Sequence, residues 1–346
     1  MLITFSAAKF KKLLFTIILA CGIANSSFAA SKDDITFEDS PLDSPILLPD
    51  WFKLSFLEIK DDITEAKENN KKGIIIYFGQ KFCPYCKAHL SNNWGQKDIV
   101  NYTQQNFDVV AIDVKGQRTV VDTDGKSYTE KEFSALKKTN FTPSVLFYNT
   151  KGEEVLRLRG YRPPYQFRAA LEYVADSHYL KENFRHYMAR AESALNFGKE
   201  ELNTNTLFNQ PPYLLDRSRI KAGQPLMVVF ERKRCYACDV LHGGPLLRPE
   251  IESRLLKLDA VQLDIYSDEP LISPDGTKTS SKKWAEKLDI NYTPTIIFFD
   301  QYGKEIIRIE SIVWFYRLRN VLDYVLTGGY KKYPTFQLWR QSKNMR

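Results

Sequence analysis

Residues 81–90 read KFCPYCKAHL and residues 233–242 read KRCYACDVLH, so Cys83/Cys86 and Cys235/Cys238 share one spacing. Such pairs could be one zinc site split along the chain, two independent redox centres, or coincidence. The surrounding sequence decides. Asp124 to Val174 aligns without gaps on Asp275 to Val325 at a constant offset of 151. Under it Asn140-Phe141-Thr142-Pro143 meets Asn291-Tyr292-Thr293-Pro294, and Tyr173-Val174 meets Tyr324-Val325. Cys83 precedes Pro143 by 60 residues and Cys235 precedes Pro294 by 59. Each cysteine pair therefore belongs to its own copy, and the period is that of a duplicated domain, too long for a solenoid repeat.

Each copy alternates between strand and helix patterns. GIIIYFG (73–79) and PLMVVFE (225–231) are short β-rich apolar runs, the signature of a buried central strand. The cysteine pair and a helical segment follow, then a second strand, DVVAIDV or AVQLDIY. A hairpin-like stretch leads to helices over about 129–138 and 280–288. TPSVLFY or TPTIIFF, a turn, VLRLR or IIRIE, and an amphipathic helix complete each copy. This order predicts an α/β fold, two tandem three-layer α/β/α domains, each with a central mixed sheet.

Before the copies, Lys9, Lys11 and Lys12 precede the apolar run LLFTIILACGIA, and Ser27-Phe28-Ala29 has small residues at a cleavage position. Residues 1–29 read as a secretory signal peptide, too short for a convincing membrane span. ILAC, Ile18 to Cys21, offers the alternative of a lipidated Cys21, the only route by which membrane contact is expected. The expected organisation is a signal peptide at 1–29, a first domain at 50–178, a helical linker at 179–212 and a second domain at 213–333. Without the signal lysines the formal charge falls from +7 to +4, and no basic block is interleaved with aromatics. Nucleic acid is thus not an expected partner. Apart from Cys21, every cysteine lies in one of the two short pairs. An exported chain that staples nothing at long range is not a disulfide framework, so the four thiols read as catalytic.

Chemistry follows from placement. A first sulfur at a helix start meets unpaired backbone N–H groups that favour its thiolate, and the second lies one turn further in. Cys83 and Cys235 are the expected attackers, with Cys86 and Cys238 resolving the mixed disulfide. Pro84 suits the first helical turn. Thr142-Pro143 and Thr293-Pro294 are read as cis peptides facing the sulfurs, and these four residues as the substrate-binding elements.

On these residues the chain resembles the thioredoxin superfamily twice over, across about 50–176 and 213–327. More closely it resembles the SoxW group of periplasmic thioredoxin-like proteins, through CPYC, the DGK hairpin, FTPSVLFYNTKGEEVLRLRGY and the terminal LEYV. The resemblance implies a periplasmic protein-disulfide oxidoreductase acting on protein thiol and disulfide clients, in the reducing direction, fed by a membrane electron donor. No cofactor and no metal site is expected. Two departures stand out. The buried acid expected six residues before the first cysteine is Tyr77 in one copy and Val229 in the other. The glycine after the last strand is Gly160 in the first copy but Ser311 in the second, where it is expected to crowd the substrate face.

Other readings stand beside these. His89 and His242 follow the pairs closely, which leaves open metal capture within one copy. The plainer reading makes them ordinary helix residues. Asp113 and Asp264 could carry protons or simply bond nearby backbone. Arg232-Lys233-Arg234 could activate Cys235, with Glu231 and Asp239 offsetting the charge. Trp314-Phe315-Tyr316 could meet a partner or fill a core. The competing function is a metal-carrying or client-binding protein with one vestigial domain.

Overall fold

The structure is a computed structural model that describes residues 37–192 and 199–343. The signal-peptide reading of 1–29 and Cys21 lie outside the described residues.

In the first copy the elements run α1 (Ile59–Glu68), β1 (Gly73–Gly79), α2 (Pro84–Ala88), α3 (Lys97–Asn106), β2 (Phe107–Asp113), β3 (Thr119–Val121), β4 (Ser127–Thr129), α4 (Glu130–Leu136), β5 (Ser144–Asn149), β6 (Glu154–Arg159) and α5 (Pro164–Ala175). The sheet order is β2-β1-β5-β6, with β1 parallel to β2 and antiparallel to β5. All seven β1 residues are buried. A strand covered on both faces needs apolar side chains at every position, which explains the unbroken Ile-Ile-Ile-Tyr-Phe run. Ile74, Ile76 and Phe78 pack with Ile59 and Ile63 of α1 and Phe133 of α4. Ile75 and Tyr77 face the other way, onto Ile99 of α3 and Phe167, Leu171 and Val174 of α5. Two helical layers therefore sandwich the sheet.

Helix α6 (Phe184–Glu192) follows, and Phe184 and Met188 join the first core. The second copy runs β7 (Tyr213–Leu214), β8 (Leu226–Glu231), α7 (Tyr236–Gly243), α8 (Pro249–Leu255), β9 (Asp259–Asp264), β10 (Pro270–Ile272), β11 (Lys278–Ser280), α9 (Ser281–Lys287), β12 (Thr295–Phe299), β13 (Glu305–Ile309) and α10 (Phe315–Leu326). Its sheet order, β9-β8-β12-β13, repeats the first. Instead of a counterpart to α1, the short strand β7 pairs with β10, and Leu215 joins the core beneath. The packing continues past residue 333: α11 (Phe336–Ser342) seats Phe336 and Trp339 in the second core.

The copies meet through corresponding positions. Arg159 pairs with Glu310 at 2.7 Å, and a Cβ added at Gly160 would overlap the Ser311 side chain. These are counterparts at the offset of 151, and contact between counterparts is the mark of twofold packing. Around this axis Arg162 lies over the Tyr292 ring at 4.2 Å and reaches Asn291 at 3.2 Å. Asn140 receives the Phe336 N–H at 3.1 Å and the Gln337 amide at 2.9 Å. The front of each domain, which carries its cysteine pair, thus faces the other copy.

Candidate active site

Each pair stands where a buried strand gives way to a helix. Cys83 caps α2, and its sulfur accepts the backbone N–H of Cys86 at 3.0 Å. Cys235 caps α7 and accepts that of Cys238 at 3.2 Å. Both pairs are disulfide-bonded, with Cα atoms 5.1 and 5.2 Å apart. The leading cysteines are the less deeply buried residues: Cys83 is 3% and Cys86 0% exposed, Cys235 5% and Cys238 1%. Pro84 occupies the first turn of α2, where a missing N–H costs no helical bond.

The Thr-Pro loops come to these sulfurs. Cys83 Sγ lies 3.2 Å from Thr142 Oγ1 and 3.6 Å from the Thr142 carbonyl oxygen. Cys235 Sγ lies 3.4 Å from Thr293 Oγ1 and 3.5 Å from the Thr293 carbonyl oxygen. The Thr142–Pro143 and Thr293–Pro294 peptides are both cis. Each threonine hydroxyl has a second polar contact, from Gln80 Nε2 at 2.9 Å in the first site and Arg232 Nε at 3.3 Å in the second. Of the basic triplet, Arg232 thus touches the site, whereas Arg234 pairs with Glu200 at 2.8 Å.

Beneath the sulfurs the copies differ. Tyr77 is buried, and burial pushes its phenol far above the usual range. His89 follows α2, packed edge-on against Trp94 and Phe167, with Nδ1 2.8 Å from the Asn93 amide. Burial pushes its imidazole down to about 3, so it is neutral at physiological pH. In the second copy the fully buried Glu231 accepts hydrogen bonds from Gln262 at 2.6 Å and faces His242 Nε2 at 3.1 Å. The second copy therefore has a buried carboxylate four residues before its first cysteine, two places from where the family pattern puts it. Its signal was available in part: His242 lies one helical turn beyond Cys238, on the side of the strand that ends in Glu231. Among the described residues no three His, Cys, Asp or Glu side chains converge as a metal site would need. Asp113 and Asp264 each accept a backbone N–H two residues on, at 2.9 Å, from Lys115 and Tyr266.

Ser311 faces Gly160 of the other copy and bonds the Ile312 carbonyl oxygen at 3.1 Å. Asp39 and Arg317 were not anticipated. Asp39 receives the Tyr316 and Arg317 N–H groups at the start of α10 at 3.0 and 2.8 Å, and the Tyr85 hydroxyl at 3.0 Å. Arg317 lies over the Tyr85 ring at 3.2 Å and donates to the Thr142 carbonyl at 2.8 Å. Trp314 donates its backbone N–H to the Tyr85 hydroxyl at 2.9 Å and packs its side chain on the first core, whereas Phe315 packs on the second.

A thioredoxin-like fold with a cysteine pair after the first central strand defines the class, and comparison agrees. The chain belongs to the thioredoxin-like domain family, whose model matches residues 59–175 and 218–326. Solved structures similar to it include a thioredoxin-fold protein from Helicobacter pylori, 18% identical over 40% of this chain and 94% of that one, TM-score 0.30. A thioredoxin from Thermus thermophilus is 22% identical over 34% and 83%, TM-score 0.27. The C-terminal domain of Neisseria meningitidis DsbD in its reduced form is 23% identical over 32% and 87%, TM-score 0.23. No curated protein matches the chain.

Proposed function

We propose that this protein is an exported, periplasmic thiol–disulfide oxidoreductase that reduces disulfides of protein clients and is itself re-reduced by a membrane electron donor. The observation that carries the chemistry is the repeated placement of the leading sulfur. In both copies it accepts its partner cysteine's N–H and lies beside a threonine hydroxyl, so a backbone donor faces the atom that becomes negative on reduction. Export rests on the lysine-flanked apolar segment at the N-terminus, and the reducing direction on the resemblance to the SoxW group.

In the reducing direction the Cys83 or Cys235 thiolate attacks one sulfur of the client disulfide, and the client's other sulfur leaves as a thiolate. Cys86 or Cys238 then attacks the mixed disulfide. The client departs with both sulfurs reduced and the enzyme pair is oxidised by the same two electrons. The leading sulfur must be the attacker, because its partner is shielded a turn further in. An extended client also needs the backbone beside Thr142 or Thr293, and Arg317 holds the Thr142 carbonyl. Protein clients at the first site therefore require the copies to part.

The test is trapping. Cys86→Ser and Cys238→Ser should accumulate mixed disulfides with exported proteins, whereas Cys83→Ser and Cys235→Ser should trap little. Trapping by the leading-cysteine variants equal to that of the resolving-cysteine variants would refute the roles. An insulin-reduction assay beside metal quantification separates the metal-carrier reading, which requires near-stoichiometric metal and little turnover.

A further inference from the structure

A cavity of about 160 Å³ lies directly over Cys83, walled by both copies. The first copy contributes Gln80, Cys83, Pro84, Tyr85 and the Phe141-Thr142 loop. The second contributes Arg317, Arg319 and Arg340, and Asp39 completes the rim. The volume is well below the roughly 300–1,000 Å³ of pockets for drug-sized ligands, and suits a molecule the size of an amino acid. The carbonyl that an extended peptide would pair with is already engaged by Arg317 at 2.8 Å.

The charge is one-sided. Among the described residues three arginines line the cavity against one carboxylate, Asp39, which offsets part of their charge while accepting the Tyr316 and Arg317 N–H groups and the Tyr85 hydroxyl. Burial first, and then the like charge of Arg317, push Arg340 down to about 10, so it stays cationic at neutral pH but under repulsion. An anion bound here would relieve that repulsion. Under the offset of 151 the counterpart of Arg317 is Gln166, which carries no charge.

We infer that the cavity over Cys83 is a binding site for small carboxylate-bearing thiols and their disulfides, assembled by the second copy on the first copy's cysteine pair. The inference rests on the oxidoreductase reading above and names a second substrate class for one of its two sites. The carboxylate sits among the arginines and the thiolate attacks Cys83 Sγ. The Cys83–Cys86 bond breaks and Cys86 leaves as a thiolate. A second thiolate attacks the small molecule's sulfur in the mixed disulfide, forming the small disulfide and releasing Cys83 as a thiolate. Two thiols lose two electrons, the cysteine pair gains them, and their two protons pass to Cys83, Cys86 or solvent. The reverse sequence reduces a small disulfide.

The experiment uses the intact oxidised chain and three probe thiols: 3-mercaptopropionate, 2-mercaptoethanol and cysteamine. Reduction of each pair is followed by alkylation and peptide mass spectrometry, with Cys235–Cys238 as the internal reference for each probe's intrinsic reactivity. The acid-to-amine rate ratio at Cys83 should exceed that at Cys235 by about tenfold or more. Arg340→Gln should bring the two ratios together, and Arg319→Gln should narrow the gap. Equal ratios at both pairs in the unmodified chain, or a preference unchanged in both variants, would overturn the anion site alone. Failure of both pairs to exchange even with dithiothreitol would overturn the oxidoreductase reading and this site with it.

Discussion

Cys83 and Cys235 occupy the same place in the same architecture, yet the second copy lends an arginine to the Thr-Pro carbonyl of the first, and the counterpart of that arginine in the first copy is a glutamine. Arg317 reaches across to the Thr142 carbonyl, while its counterpart Gln166 bonds its neighbour Tyr165 at 3.1 Å. Beneath the sulfurs the contrast reverses. The first copy places an aromatic box around a neutral His89, and the second places a carboxylate against His242. The strand, the cysteine pair and the Thr-Pro loop are repeated, and the copies diverge in what lies above and below them. In a duplicated redox domain those are the groups that decide which client approaches and how protons move.

The largest effect should come from removing the lent arginine. Arg317→Met in a Cys86→Ser background should raise trapping of protein clients at Cys83 about tenfold, towards or beyond that of Cys238→Ser, as counted by mixed disulfides on non-reducing gels. With Arg317 in place the first site should trap less than the second, the opposite of what a crowding Ser311 would give. Unchanged trapping in Arg317→Met would break the comparison at its main point.

Glu231→Ala should cost about 2–3 kcal/mol in denaturant unfolding, because it strands Gln262 and His242 in a buried site. Glu231→Gln keeps part of the bonding and should cost less. Loss concentrated in the second copy would be read by hydrogen exchange, and uniform loss would argue that the copies unfold as one unit.

Gly160→Ala should cost about 1–2 kcal/mol from backbone alone, since Gly160 has φ +84°. The added Cβ also meets Ser311, so Ser311→Gly should restore part of the stability. Absence of any coupling in the double-mutant cycle would show that the copies do not press together at this point.

At mildly acidic pH the smallest effect is that of His89, and it grows as the pH falls further. His89 is held neutral down to about 3, whereas in the unfolded chain it takes a proton below about 6.5. The unfolded state then binds more protons, so stability is full above about 6.5 and falls as pH drops towards 3, by about 1 kcal/mol per unit below 6. Urea titrations of the unmodified chain and His89→Phe should diverge in that window, and parallel curves would remove His89 as the cause.

Helix α1 shows what a pattern can carry and still leave unassigned. Ile59, Ile63 and Ala66 are spaced for one buried helix face, but nothing in that spacing says that the face covers Ile74, Ile76 and Phe78. Residues 336–342 pose the same problem, since Phe336 and Trp339 mark an apolar face whose partner is a core begun a hundred residues earlier. Glu231 was legible as a residue near Cys235 but not as a buried one. A charge at a strand end is usually solvated, and only Gln262 and His242 make its burial tolerable.

By itself the sequence determined the duplication, the buried central strands, the cysteine pairs at helix starts and the Thr-Pro loops that meet them. All of these are written in local periodicity, in spacing, or in the agreement of one copy with the other. Only the tertiary structure decided that the two fronts face each other, that Asp39, Arg317 and Arg340 close over Cys83, and that Ser311 rests on Gly160. Apart from Asp39 over Cys83, those contacts join residues more than a hundred positions apart. Their free energy depends on which surfaces dock, and hydrophobic patterning states only which face of each element must be covered, not by what.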